Sequence, residues 1–360
     1  MRAAVLREAH KPLTVEDVTI ADPIGSEVLI RTSAAGVCHS DVHFQQGLHT
    51  CPMPAVMGHE SAGIVEAVGP NVTYVKPGDH VITCLSVFCG SCRHCTTGRP
   101  NLCEDRESTQ RSETDTPRLS ADGEPFFQFA NLASYAEMLL VHEHAVCKIR
   151  EDMPLDKAAL IGCGITTGVG AALNTAKVEP GSTVAVFGCG GIGLSAIQGS
   201  RIASAGRIIA VDTISSKLQL AKKLGATDLV NATDGDPVEQ IMDLIEGGVQ
   251  YSFEAVGLKE TAEQAFRVLE RGGTATVIGM IPEGVKIEIT GMDLLGERRI
   301  QGSSMGSNRF RVDMPRYIDM YFSGHLKLDE MISHRISLDD INDAFEALLK
   351  GDVARQVIVF

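Results

Sequence analysis

The segment GSTVAVFGCGGIGLSAIQGSRIASAGRIIAVD (residues 181–212) constrains the fold of this chain more than any other. It reads as a strand, a glycine turn, a helix and a second strand, and the same rhythm continues beyond it. Helix-like KLQLAKKLGA, strand-like DLVN, helix-like PVEQIMDLIEG, strand-like VQYSFEAVG, helix-like TAEQAFRVLERGG and strand-like TATVIGM follow in turn. Strands alternating with helices imply a parallel sheet, because each helix carries the chain back to the end where the next strand starts.

The first third has a different character. EVLIRTSAAGV, AGIVEAVGP and DHVITCL are short, rich in β-branched residues and separated by Gly, Pro and Asp, which is the pattern of a β-rich domain. After about residue 304, DMPRYIDMYFSG and LDDINDAFEALLKG read as helices, and ARQVIVF closes the chain as a strand. A strand after an α/β block suggests a return to the first domain. A length of 360 residues exceeds what one core usually holds, so two domains are expected. Residues 104–125, EDRESTQRSETDTPRLSADGEP, are polar and read as a long functional loop or an irregular lobe.

The glycine turn has a chemical reading. Gly188, Gly190 and Gly193 form G-x-G-x-x-G after a strand and at the start of a helix, the setting that gives this motif meaning. The first glycine makes the turn, the second admits a pyrophosphate to the backbone, and the third lets helix and strand approach. With Gly191 and Ile192 they form the N-terminus of the helix, where free N–H groups and the helix dipole favour anions. The next strand ends in Asp212, whose carboxylate can accept bonds from ribose hydroxyls and repels a 2′-phosphate, which selects NAD over NADP. Lys217 can reach the same ribose, although an ordinary surface lysine explains it nearly as well. The unit is thus expected to be a Rossmann doubly wound parallel sheet.

A second motif is equally local. CGSCRHCTTGRPNLC places Cys89, Cys92, Cys95 and Cys103 as C-x2-C-x2-C-x7-C. Four thiolates fill the tetrahedral shell of zinc and leave no room for substrate, which marks a structural site. An iron–sulfur cluster is the chief rival, since it uses similar spacing. The 10 cysteines favour metal ligation over a disulfide framework in a chain that starts without a secretory signal. A cytoplasmic location is the corresponding expectation. The net charge of −14, with no block of Lys or Arg, argues against nucleic acid as a partner. No uninterrupted apolar run approaches a membrane span, so no membrane partner is expected.

GVCHSD, GHE, the cysteine run, GCGITTG, GCGGIG with Asp212, and the terminal ARQVIVF stand in this order along nearly the whole chain. In that combination the chain resembles the zinc-containing medium-chain alcohol dehydrogenases, in the long-loop branch with the animal-type and formaldehyde dehydrogenases. The resemblance implies an α/β protein with a GroES-like β-rich catalytic domain (residues 1–164 and 305–360) carrying both zinc sites. Residues 165–304 would be the Rossmann NAD-binding domain between them. It implies Cys38, His59 and Cys163 as ligands of a catalytic zinc with one open position, and Glu60 and Asp41 as residues orienting the metal and its histidine. It also implies Thr167, His39 and Arg355 at the cofactor, with Arg355 on the pyrophosphate. Ser40 would take the proton of a zinc-held alcohol and pass it through the nicotinamide ribose to His43, while hydride goes to NAD. Leu85, Met280 and Met305 fall at substrate-pocket positions, and their apolar character suggests primary alkyl or aryl alcohols and their aldehydes. Cys51 reads as a pocket or surface thiol. A homodimer is implied, with VKIEIT and RRIQGSS as edge strands.

Other readings share these residues. The same fold could serve a thiol-adduct-dependent formaldehyde dehydrogenase or a nicotinoprotein that retains NAD. A non-enzymatic zinc protein sensing NADH is a third, disfavoured by the joint presence of Cys38, Ser40, His43, His59 and Cys163. A zinc-free quinone reductase is disfavoured by both cysteine sets. One departure from the resemblance is testable. Many relatives carry arginine where this chain has His39, and an imidazole is only partly charged near neutral pH. His39→Arg is expected to tighten NADH binding and flatten its pH dependence. NADH titrations of both forms at two pH values check this, and an unchanged affinity would refute it.

Overall fold

The structure, a computed structural model, describes residues 1–351 and 353–360. The chain divides into two compact units. The first comprises Met1–Cys163, Arg309–Ser323 and Leu328–Phe360, and the second Gly164–Asn308 and Gly324–Lys327.

The first unit is organised by one long strand, Glu27–Val37. Its alternation buries Val28 and Ile30 against Val65, Val81, Leu139 and Val141, as a period of two requires. Ser61–Val68 runs antiparallel along one edge and is followed outward by His80–Thr83 and Val146–Lys148. Eleven residues are long enough for two partners on the other edge. Met138–His142 pairs with residues 27–31, and the terminal strand Arg355–Val359 with residues 34–37. The terminal strand also pairs in parallel with Ile332–Ile336. Val357 and Ile358 are fully buried, each stabilising this return by about 1.5–3 kcal/mol.

The second unit contains one six-stranded parallel sheet. Its order is Asp228–Asn231, Arg207–Asp212, Thr183–Phe187, Val249–Glu254, Leu269–Val277 and Arg299–Gly302. This is the doubly wound order, and its direction of winding reverses between Thr183–Phe187 and Val249–Glu254.

Two expectations are corrected. TAEQAFRVLERGG is not helical throughout: the helix Lys259–Arg267 ends before Leu269, where the next strand begins. Residues 285–290, VKIEIT, read as an edge strand of a dimer, form no strand within the single chain, whose sheet ends at Arg299–Gly302. One helix, Leu155–Ala176, is long and apolar enough by composition to cross a membrane. Of its most apolar window 83% is buried, which identifies a core helix.

The polar segment after residue 104 acquires structure from a charge that hydropathy does not reveal. Glu27, only 3% exposed, accepts bonds from Arg118 Nε (2.7 Å), Arg111 Nε (2.9 Å) and the Ile24 N–H (3.0 Å). Arg118 also donates to Gln128, Gln110 and the Thr109 carbonyl, and Arg111 to the carbonyls of Thr116 and Asp22. Burial alone would raise the Glu27 carboxyl, but the bonds from Arg111, Ile24 and Arg118 outweigh it and hold it below its ordinary value. Its stabilising effect is therefore complete above the unfolded-state value of about 4.3 and is lost as pH falls through the lower folded value. Glu27→Gln leaves two buried guanidinium groups without their counter-charge and should destabilise the protein by about 3–5 kcal/mol near neutral pH. Denaturant melts at a series of pH values check both the size and the loss of the difference in acid.

Candidate active site and metal centres

The short helix His39–Gln45 begins where Glu27–Val37 ends, so its first turn stands at the end of the central strand. Cys38 is its N-cap residue. His59 and Glu60 precede the strand Ser61–Val68, the neighbour of Glu27–Val37. Cys163 lies in a wide, π-type turn, Ile161–Ile165, of the long apolar helix. Adjacent strands and one helical turn thus bring together residues more than a hundred positions apart. One ligand atom each from Cys38, His59, Glu60 and Cys163 lie within 4.8 Å of one another, and all four residues are buried.

A buried carboxylate orients the histidine. Asp41 Oδ2 lies 3.2 Å from His59 Nδ1 and accepts the Tyr135 hydroxyl at 2.8 Å, while Oδ1 accepts the Gly58 N–H at 3.0 Å. With Nδ1–H given to Asp41, the lone pair of His59 is on Nε2, the form a metal needs. Burial disfavours a charged His59, but Asp41 and Cys38 raise its pKa well above the ordinary imidazole value. The hydrogen bond with Cys163 holds the Cys38 thiol well below its usual value. Glu60 meets Arg355 in a direct ion pair through Oε2, while Oε1 is buried with no partner. Burial pushes the Glu60 carboxyl up to about 7 in spite of that arginine. Two thiols, an imidazole and a carboxyl with a free oxygen form a donor set suited to zinc.

The proton-carrying candidates stand on the same helix. Ser40 Oγ is 3.7 Å from Cys38 Sγ. His43 is half-buried, and its Nδ1 is enclosed without a partner. Burial first, then nearby His49, keeps its pKa below the ordinary value and its ring neutral near pH 7. The His39 ring lies 6.4 Å from that of His43.

The four cysteines of the 89–103 run also converge. Their sulfurs are 3.9 Å (Cys89–Cys95), 3.5 Å (Cys92–Cys95) and 3.9 Å (Cys92–Cys103) apart. The edge of a tetrahedron with zinc–sulfur bonds of about 2.3 Å is about 3.8 Å. A cubane cluster would place each sulfur on a different iron and hold them further apart, so the spacing fits a single ion. N–H groups of Cys92 and Ser91 point at Cys89 Sγ, and they bring its thiol down to about 6.

In the second unit the glycine loop has the geometry its motif needs. A Cβ on Gly193 would stand 1.7 Å from the Gly188 carbonyl oxygen, so only glycine permits this helix–strand approach. Gly190 faces open space, as a residue that must admit a diphosphate should. It caps the helix Gly191–Ile202 with no side-chain bond to the first amides, leaving those of Gly191 and Ile192 for an anion. Asp212 accepts the N–H groups of Cys189 (2.7 Å) and Ile214 (2.9 Å), which fix its carboxylate at the end of its strand. Lys217 lies in the next helix, Ser215–Leu224, close enough to lower the buried Cys189 thiol's pKa slightly against the rise from burial. Thr167 Oγ1 lies 3.2 Å from Met305 Sδ, and Met280 is 38% exposed at the carboxyl end of the sheet. Leu85, in the first unit, packs against the core around Val28 and Val87. Cys51 belongs to neither metal-type cluster.

Several site residues carried no sequence signal. Tyr135 is fully buried against Asp41, but nothing in ASYAE distinguishes it from a core tyrosine. The Phe129 ring lies 5.9 Å from His59 and 4.7 Å from Phe44. Its position depends on a loop that no spacing rule predicts.

Comparison with known proteins agrees with this geometry. Residues 25–151 match the family "Alcohol dehydrogenase GroES-like domain", and residues 191–323 match "Zinc-binding dehydrogenase". The chain is 41% identical to an alcohol dehydrogenase class-3 of Drosophila melanogaster, over 100% of this chain and 97% of the relative. It is 39% identical to an S-(hydroxymethyl)glutathione dehydrogenase of Paracoccus denitrificans, over 100% and 99%. The crystal structure of benzyl alcohol dehydrogenase from Acinetobacter calcoaceticus superposes with a TM-score of 0.93 at 34% identity, covering 100% of this chain and 99% of that one. The chain therefore belongs to the zinc-containing medium-chain alcohol dehydrogenases, with a GroES-like domain and a Rossmann-like domain, and is an oxidoreductase of that family.

Proposed function

We propose that the protein interconverts primary alkyl or aryl alcohols and their aldehydes, using NAD and two zinc ions per chain. The observation that carries this reading is the buried cluster of Cys38, His59, Glu60 and Cys163, backed by Asp41. In that place a zinc ion supplies a Lewis acid that makes the alcohol proton easier to remove. Cys38, His59 and Cys163 would hold it, with Glu60 turned to Arg355 beside them, while Asp41 and Tyr135 keep the His59 ring in the binding tautomer. Ser40 would take the hydroxyl proton, and His43, on the same helix, would pass it on. A neutral His43 can accept that proton and release it to water. A bound NAD would supply the two-electron hydride acceptor for the alcohol carbon. His39, Thr167 and Arg355 contact the cofactor, and Asp212 with Lys217 holds its adenosine ribose and selects NAD over NADP.

The apolar side chains of Leu85, Met280 and Met305, and the rings of Phe129 and Phe44 near His59, support an apolar substrate. The benzyl alcohol dehydrogenase relative points the same way. A second reading, oxidation of a thiol adduct of formaldehyde, is favoured by the relative that acts on S-(hydroxymethyl)glutathione. The exposed apolar row Val285, Ile287, Met292, Leu294 and Leu295, in the unit whose edge strand is Arg299–Gly302, supports a homodimer joined through that unit.

Metal analysis combined with a substrate panel decides among these. The expected result is two zinc ions per chain and NADH formation from benzyl and short primary alcohols. NAD should exceed NADP in kcat/KM by about a hundredfold. Cys163→Ala should lose one zinc, with kcat falling by about three orders of magnitude or more. Activity retained in Cys163→Ala would overturn the scheme. Activity confined to formaldehyde plus a thiol would establish the second reading.

A further inference from the structure

Glu254 ends the strand Val249–Glu254, beside the strand that leads into Gly188 and at the point where the winding of the sheet reverses. Its side chain is fully buried. Oε1 alone accepts three bonds, from the Val256 N–H (2.8 Å), the Gly257 N–H (2.7 Å) and the Thr261 hydroxyl (2.8 Å). Oε2 is enclosed with no partner. A carboxylate in such a place is expensive in free energy, and a half-satisfied one more so, unless its position serves something beyond closing the turn.

The surroundings show what depends on it. The Glu254 carbonyl accepts the N–H groups of Ile278 (2.8 Å) and Gly279 (3.1 Å), and the Ala255 N–H reaches the Phe187 carbonyl (2.9 Å). Three strand ends are thereby fastened through Glu254 and its neighbour Ala255. Packing between them is too close for side chains. A Cβ on Gly279 would stand 2.2 Å from the Gly257 nitrogen and 2.5 Å from Glu254 Oε2. One on Gly257, whose φ is +92°, would meet the Met280 carbonyl at 2.7 Å, and one on Gly188 would meet Val256 Cγ2 at 2.6 Å. The carboxylate therefore sits in the middle of an interlock. On its outer side that interlock holds out two large apolar side chains, Val256 (43% exposed) and Met280 (38% exposed).

We propose that Glu254 is a positioning residue for the dinucleotide: its carboxylate sets the 255–257 turn, and with it the 278–280 segment, as one lip of the cofactor crevice. In doubly wound sheets the ligand enters at the carboxyl ends of the strands, at the reversal point, which is where this turn stands. The Gly188 loop and Asp212 bind one side of the ligand, whereas Glu254 touches none of it. It acts through Val256, Gly257 and Met280. A displacement of a few tenths of an ångström in this lip is enough to weaken binding. The inference rests on the dinucleotide reading of this unit given above.

The test uses the full-length zinc-loaded protein and NADH fluorescence titration, with steady-state kinetics and thermal melts alongside. Glu254→Ala should raise the NADH Kd and the KM for NAD by about tenfold, with kcat at saturation changing by less than about threefold. Glu254→Gln keeps an oxygen for the three donors and should recover Kd to within about threefold of the parent protein. Thr261→Val removes one donor with little change of shape. It should weaken NADH by about two- to fivefold, which provides a reading should Glu254→Ala fail to fold. A lowered melting temperature with NADH affinity unchanged in every folded variant would reduce Glu254 to a structural role and overturn the proposal. Absence of NADH binding by the parent protein would instead overturn the dinucleotide reading itself.

Discussion

Asp41 is the group on which the rest of the active site depends. It is fully buried, and its two oxygens receive the Tyr135 hydroxyl, the Gly58 amide and the His59 imidazole. These partners belong to two separate stretches of chain, Gly58–His59 and the segment around Tyr135, so the carboxylate fixes their mutual positions as well as the tautomer of the histidine. It also adds negative charge to a pocket that already holds Cys38, Glu60 and Cys163. Charge of that sign in a dry interior is tolerable only when a cation balances it. Within the protein, Arg355 and a His59 whose pKa is raised well above the ordinary imidazole value stand against that charge while Cys38 and burial keep the Cys163 thiol protonated, and a divalent ion bound there would replace those protons.

Arg355 links this local chemistry to the topology. It begins the terminal strand, which completes the central sheet beside Glu27–Val37. The ion pair with Glu60 can form only after that strand has docked. The same event that completes the sheet thus brings the counter-charge to the metal pocket. A site assembled before the last strand would hold a buried carboxyl without its partner, which couples correct closure of the unit to a competent centre.

How far the sequence could be read follows from the range of the interactions. The parallel sheet was legible because its signal is local: each strand and helix carries its own periodicity, and the glycines mark the turn. The cysteine run was legible for the same reason. The ligand set Cys38, His59 and Cys163 was reachable only through resemblance, since no spacing rule spans such separations. Tyr135 and Phe129 were not legible at all, because their roles are set by which loop faces which strand. The 104–125 segment was only partly legible. Its polar composition left open a functional loop or an irregular lobe and gave no sign that Arg111 and Arg118 bond one buried glutamate more than eighty residues away. VKIEIT shows that alternating apolar residues carry strand propensity without pairing to any strand of their own chain.

The two candidate metal centres consequently differ in how they relate to folding. The four cysteines lie within fifteen residues, and N–H groups of their own loop already stabilise the Cys89 thiolate. Binding there requires only that a short loop close, so the ion can gather its ligands early and contributes its binding energy directly to the order of that lobe. The other centre has no existence apart from the sheet. Its ligands come from the end of one strand, the start of its neighbour and a wide helical turn, and they are oriented by residues from further segments. Such a centre cannot organise the fold and must be organised by it. That order of dependence suits catalysis, because a pocket built by a rigid sheet can keep one coordination position open, whereas a loop that folds around its metal tends to close it.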